Sequence, residues 1–236
     1  MNLPKHYAMS LRSNLRAQAV WPPTQILAIG DYGEYEGGIF TRRGNITEDF
    51  KVPYRDEPGG YLAEKFQYHS EHERSGGASL IAASSGIEGG VEISLASAES
   101  FFLSVASCDL VRMKAKHDVA EMLRDEPEWR FLKYFVVGEL FRGRDLVFFG
   151  SEQGGGAVAV CGSTPDVTAF TAAGKVGASV RFATSGSVGL QFHGAPGEPV
   201  SFAVNVFRVR RVGDLVALSF AVDDPLTDVA DLDEVL

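Results

Sequence analysis

Five consecutive residues, His69-Ser70-Glu71-His72-Glu73, form the densest run of metal-ligating side chains in the sequence. Metal ligation needs side chains that converge. A strand throws alternate residues to opposite faces, so His69 and His72 would diverge if a strand ran through them. We expect a solvated charged patch there and no metal. His6, His117 and His193 are isolated in sequence. The sequence contains no G-x-x-x-x-G-K-[ST] phosphate loop, no G-x-G-x-x-G following a strand and no G-x-S-x-G nucleophile turn. Cys108 and Cys161 lie far apart without ligand-like spacing and read as two buried free thiols. The expectation is a protein with neither enzymatic activity nor cofactor.

What remains is the chemistry of charged and apolar surfaces. The formal net charge is −9, which argues against a nucleic-acid partner, whose phosphates reward a basic stripe. The negative charge is concentrated. Beyond Val212 stand seven acids (Asp214, Asp223, Asp224, Asp228, Asp231, Asp233, Glu234) and no base, while residues 1–211 carry 24 acids against 22 bases. The opposite sign gathers at the other end, where Lys5, Arg12 and Arg16 form a basic stripe with no acid in the first 30 residues. Such a stripe is either a solvated helix face or a first contact with anionic lipid.

These charges need elements to carry them. Residues 4–19 predict an amphipathic helix, with Ala8, Leu11, Leu15 and Ala19 at helical spacing and Trp21-Pro22-Pro23 ending it. At the C-terminus, Asp224 as a cap, Pro225 at the first helical position and the stripe Leu226, Val229, Leu232 predict a short acidic amphipathic helix. At that length a helix is marginal alone in water, so we expect it to dock. Between them the chain is rich in turns and strands. Strands are expected at Gln25 to Asp31, Gly38 to Arg43, from Phe66, at Gly154 to Cys161, at Pro199 to Arg211 and at Leu215 to Val222. Glu48 to Pro58 reads as irregular. Asp118 would cap a short helix with Val119, Met122 and Leu123 on its apolar face, and FLKYFVVGELF and DLVFF would pair as a hairpin about Arg142-Gly143-Arg144.

Two stretches stand out for their alternation. From Val176 to His193, Val176, Val180, Phe182, Val188, Leu190 and Phe192 hold the even positions, and mostly small or polar residues hold the odd ones. Between Ala78 and Cys108, Val91, Ile93, Leu95, Phe101, Leu103 and Val105 hold odd positions, with Phe102 breaking the pattern. A period of two gives each ribbon one apolar and one small, polar face. A membrane-crossing strand needs only about 9–11 residues of this kind, so the same pattern suits a half-buried soluble sheet or a bilayer. No apolar run of about 18 residues occurs, and no secretory leader is evident. We therefore expect a single α+β domain with an extended, twisted, mainly antiparallel sheet and a few short peripheral helices.

The order of these elements resembles the pore-forming domain of the gasdermins, particularly the short bacterial members. The resemblance runs from about residue 4 to 211. It is carried by the basic first helix HYAMSLRSNLRAQ, by ILAIGDYGEYEGGIFTRRGNI, by the small-residue ribbon GASLIAASSGIEGGVEISLASAESFFLSVASC, by HDVAEMLRDEPEWRFLKYFVVGEL and by the late strand EPVSFAVNVFRVRR. It implies a pore-forming domain over 1–211 and an inhibitory tail over 212–236. A protease would remove the tail, and the chain would then move from the cytoplasm to the inner face of the plasma membrane. There it would oligomerise on anionic lipid as a defence or cell-death effector. Lys5, Arg12, Arg16, Arg42 and Arg43 would meet lipid, Phe66 to Cys108 and Ala157 to Phe192 would become membrane-crossing hairpins, and Leu226, Val229 and Leu232 would hold the tail in place. The bacterial members commonly carry a lipidated cysteine near the N-terminus, and no cysteine precedes Cys108 here. The rival reading is a soluble cytosolic β-rich binding module whose ribbons simply cover a core.

Overall fold

The computed structural model describes residues 3–63, 66–70, 90–95, 97–105, 107–129, 133–161, 181–185, 189–194, 197–212 and 215–220. Along the chain run α1 (Leu3–Leu15), β1 (Gln18–Val20), β2 (Asp31–Glu36), β3 (Ile39–Asn45), α2 (Ile46–Phe50), β4 (Arg55–Ala63), β5 (Phe66–His69), β6 (Gly90–Leu95), β7 (Ser100–Val105) and β8 (Ser107–Lys114). They are followed by α3 (Lys116–Asp125), β9 (Phe135–Arg144), β10 (Val147–Ser151), β11 (Gly156–Cys161), β12 (Arg181–Ser185), β13 (Leu190–His193), β14 (Pro199–Val212) and β15 (Leu215–Phe220).

The strands form three sheets. The largest has eight strands in the order β15-β14-β1-β3-β2-β9-β8-β4, and a further pairing of β14 with β9 closes β14, β1, β3, β2 and β9 into a ring. A four-stranded sheet runs β13-β10-β7-β5, and a three-stranded one β12-β11-β6. Among the described residues all pairings are antiparallel except β1 with β3. The fold is α+β, as the sequence predicts.

Alternation along the central strands shows why the large sheet is buried on both faces. Val20, Phe40, Leu140 and Val204 enter one core with α2, α3 and Trp129. Their chain neighbours Ala19, Ile39, Phe141 and Ala203 pack into a second core with α1 and the strands β7 and β10. A period of two sends successive side chains to opposite sides, so one strand serves both cores. Each fully buried Leu or Phe in them stabilises the fold by roughly 1.5–3 kcal/mol before ordering costs.

Several expectations are corrected by local hydrogen bonding. The first helix stops at Leu15, because Arg16 adopts a left-handed φ of 51° and Gln18 and Ala19 give their backbone to β14. Gln25 to Asp31 is no strand. Gln25 alone bridges Ser201, while the N–H of Leu27 is taken by Ser201 Oγ (3.1 Å) and that of Ala28 by Asp31 Oδ2 (2.9 Å). Glu48 to Pro58, expected to be irregular, opens in α2 and closes in β4. Asn45 Oδ1 accepts from Thr47 N–H at 3.0 Å and starts α2. Pro58 is tolerated in β4 because β4 is a sheet edge, where a missing N–H costs no ladder bond. Asp118 sits inside the first turn of α3, and the cap position is Ala115, without a side-chain bond.

The largest correction concerns partners. β9 and β10 do not form a hairpin, because both edges of β9 are occupied by β8, β2 and β14, so β10 pairs with β7 and β13. Each alternating ribbon is likewise divided between two sheets. The one between Ala78 and Cys108 contributes β6 to the three-stranded sheet and β7 to the four-stranded one, while the one between Val176 and His193 contributes β12 to the former and β13 to the latter. On β7 both faces are buried, including Ser100, Phe102 and Ser104, so its polar parity does not face water.

Candidate membrane-binding surface

Helix α1 has two faces of different chemistry. Leu3, Tyr7, Ala8 and Leu11 are buried, at the spacing of one helical face. On the outer side Lys5 and Arg16 are exposed and Arg12 is half-buried, and between them Met9 is 38% exposed. Lys5, Met9 and Arg12 follow one another at steps of four and three on α1, and Arg16, just past its end and bonded through its N–H to the Arg12 carbonyl at 3.1 Å, extends the stripe, so that an apolar side chain sits among three cations. Met9 was legible from this spacing, yet composition alone draws attention only to the charges. The combination suits an interface that is anionic at its surface and apolar just beneath.

The other two predicted lipid contacts are differently placed. Arg42 and Arg43 lie on β3, and both meet carboxylates. Arg42 Nε lies 3.0 Å from Oδ2 of the buried Asp31, and Arg43 Nη2 lies 2.9 Å from Glu34 Oε2. Asp31 also accepts from Asn45 Nδ2 at 2.9 Å and from Ala28 N–H, so its charge is locally satisfied. The β2–β3 corner reaches α1. Gly38 takes φ 87° and leaves no room for a side chain against Ala8, and Arg12 lies near enough to Tyr35 to oppose the upward shift that burial gives that phenol.

The inner face of α1 rests on the four-stranded sheet. Register places Tyr68, Leu103, Phe148 and Phe192 opposite one another across β5, β7, β10 and β13 in a single apolar row. The next row holds Phe101, Gly150 and Leu190. Tyr7 contacts Phe101 and Phe148 edge-on at 5.4 and 5.6 Å between ring centroids, and Trp21 meets Phe148 and Phe192 at 5.5 Å each. Edge-to-face pairs of this kind add about 0.5–1.5 kcal/mol each to their area burial. Thus Phe101, Leu103, Leu190 and Phe192, four of the expected membrane-facing residues, are brought together in the core that α1 and Trp21 cover. Val105 is fully buried in the same core, and Leu95 is also buried. Val91 and Ile93 fall on β6 and Phe182 on β12. Val176, Val180, Val188 and the tail residues Leu226, Val229 and Leu232 lie outside the described residues, as do Glu71, His72 and Glu73.

A polar row crosses the large sheet on the side of α3. Glu139 Oε1 meets Lys116 Nζ at 3.1 Å and Arg112 Nε at 3.4 Å, and Oε2 accepts from Asn205 Nδ2 at 2.9 Å. Burial works to raise the Glu139 pKa, but the bonds from Asn205 and Lys116 and the charges of Lys116 and Arg112 outweigh it and hold it below the usual value. This arrangement ties β8, β9, β14 and α3 together and has no reacting group beside it. Cys108 is buried and free, and burial, aided by Asp109, pushes its thiol up to about 12. Among the described residues, no group of three or more His, Cys, Asp and Glu side chains is placed to hold a metal ion, and no helix is long and apolar enough to cross a membrane.

No protein-family model matches the chain, and no curated protein matches it by sequence. Among solved structures the chain is similar to a bacterial gasdermin from Bradyrhizobium tropiciagri, at 11% identity over 91% of each chain with a TM-score of 0.38. It is also similar to the Gasdermin A3 membrane pore, at 9% identity over 95% of this chain and 96% of that one with a TM-score of 0.32. Both of these proteins are gasdermins.

Proposed function

We propose that the chain is an autoinhibited pore-forming protein, whose cationic helix meets anionic lipid and whose two alternating ribbons leave the small sheets to cross the bilayer. The observation that carries this reading is how the ribbons pair. They are far apart in sequence, yet β6 of the earlier one and β12 of the later flank β11 in one sheet, β6 pairing antiparallel with β11 through six consecutive positions, Gly156 with Leu95 to Cys161 with Gly90. β7 and β13 flank β10 in the adjoining sheet. Strands that already lie side by side and antiparallel are arranged to lengthen into hairpins, whose closed assembly would satisfy the backbone in lipid. An apolar parity outward and a small, polar parity inward are what such a barrel requires.

In this proposal the cytoplasmic protein is held monomeric by Asp223 to Leu236. Leu226, Val229 and Leu232 would cover apolar surface, and the acids would approach basic groups such as Lys5, Arg12 and Arg16. Burying three such side chains would contribute on the order of 4–9 kcal/mol before ordering costs, enough to hold a domain closed and small enough for one cleavage to release. The protease, the oligomer and the inner face of the plasma membrane as the site of action belong to the same proposal. A second reading has one observation in its favour: β7 is buried on both faces, as in a finished soluble core, which suits a β-rich binding module.

Removal of 223–236 separates the two. The intact chain should be monomeric and leave phosphatidylglycerol-containing vesicles sealed, and the shortened chain should oligomerise and release an entrapped dye. A shortened chain that stays monomeric, folded and inert toward vesicles would establish the binding-module reading instead.

A further inference from the structure

We infer that α1 is a latch: seated on the sheet where strands of both ribbons meet, it keeps them bent and short, and they extend only after the helix has left its seat. The inference rests on the pore-forming reading and names a restraint within it that is separate from the tail. It starts from a glycine. In the row Phe101, Gly150, Leu190 the central position has no side chain, and a Cβ there would overlap Leu3 of α1. The notch between two apolar neighbours is therefore filled by the first residue of the helix, which is fully buried. One turn later Tyr7 lies over Phe101 and Phe148, and its hydroxyl donates to the Phe202 carbonyl at 2.9 Å, anchoring the helix to β14 of the large sheet as well.

The same helix also touches the bend that divides the first ribbon. Between β6 and β7 the chain turns at 97–99, where Glu99 holds a left-handed φ of 63°. A residue with a Cβ is strained there, and a continuous strand would relieve it. His6 Nδ1–H donates to the Glu99 carbonyl at 2.7 Å, while the Glu99 N–H bonds Glu152 O, just past the end of β10, at 3.3 Å. Straightening the ribbon must break the His6 contact, and uncovering Phe101 must displace Tyr7. Since Lys5, Met9 and Arg12 lie on the outer side of the same thirteen residues and Arg16 directly follows them, lipid that draws the helix away favours the open arrangement by its differential affinity for it.

The test uses the full chain with a specific protease site placed at 222–223, and the variants Leu3→Ala, His6→Ala and Gly150→Val. With the tail uncut, hydrogen exchange at 100–105 and 147–151 should be faster in all three than in the wild type. After cutting, dye release from phosphatidylglycerol vesicles should be at least about tenfold faster, as expected when a buried leucine contact is lost from a closed state. A cut wild-type chain that releases dye, with variants that match it in both exchange and release, would overturn the latch and leave the pore reading standing. A cut wild-type chain that releases none would overturn both. If Gly150→Val does not fold, Leu3→Ala and His6→Ala, which only remove atoms, decide the matter.

Discussion

The hydroxyl of Tyr7 donates to the carbonyl of Phe202 at 2.9 Å, although the two residues stand 195 positions apart. The bond is buried, and burial holds the phenol well above its usual pKa, so it stays a donor throughout the ordinary pH range. Tyr7→Phe keeps the ring against Phe101, Phe148 and Trp21 and removes only the hydroxyl. It should cost about 0.5–1.5 kcal/mol. For a chain of this size that lowers the melting temperature by roughly 2–4 °C per kcal/mol. Differential scanning calorimetry checks it, and an unchanged melting temperature would show that the bond contributes nothing.

Glu139 makes a prediction about acid stability. Its pKa is lowered in the fold, so it contributes stability that is fully present above its unfolded value near 4.5 and is lost as pH falls through the folded value. Glu139→Gln loses the charge and one of the two acceptor oxygens, so its amide nitrogen, a donor, must face either Asn205 or Lys116. It should cost about 1–3 kcal/mol at neutral pH. The gap between wild type and variant should then narrow below pH 4.5. Denaturant titrations at neutral and acid pH measure it. A gap that does not change with pH would mean that the charge is not what holds β8, β9 and β14 together here.

The outer stripe of α1 predicts how the protein meets lipid. Each cation near an anionic surface is worth about 1 kcal/mol, so reversing Lys5, Arg12 and Arg16 to Glu should weaken vesicle binding by at least about a hundredfold. Met9→Asp should weaken it further, while Met9→Leu should leave it close to wild type. Arg42→Ser and Arg43→Ser should have smaller effects, because both lie on β3, off the stripe that carries Met9. Co-sedimentation with phosphatidylglycerol vesicles distinguishes these cases, and equal losses at α1 and β3 would remove the helix from its assigned place.

The sequence carried the faces of the elements better than their partners. The strand from Phe66, the run from Pro199, and Val119 and Leu123 on the inner face of α3 are legible, because each is set by local periodicity; Met122, expected on the same face, is exposed. The pairing of β6 with β11 was not, since it joins segments about 65 residues apart and nothing in either specifies the other. The expected hairpin of β9 and β10 failed for the same reason: adjacency in sequence made it attractive, and prior occupation of both edges of β9 forbade it. Phe102 breaks the alternation and is fully buried all the same, because β7 has no wet face. Of the candidate surface, the cations and Met9 were visible at helical spacing. The notch at Gly150 and the reach of Trp21 depend on tertiary placement and left no signal in the chain.

The central claim is that the ribbons exchange a protein-covered state for a lipid-facing one while keeping their parity. In the closed protein Leu190 is half-buried and Gln191 exposed, on opposite faces of β13. The direct measurement places an environment-sensitive fluorophore on a single cysteine at either position, with Cys108 and Cys161 replaced by serine, and follows quenching on vesicles after the tail is cut. The account predicts that the Leu190 probe is quenched by nitroxide carried in the acyl chains and the Gln191 probe by aqueous iodide. Equal quenching of both positions by iodide, with neither reached by the lipid-borne quencher, would contradict it.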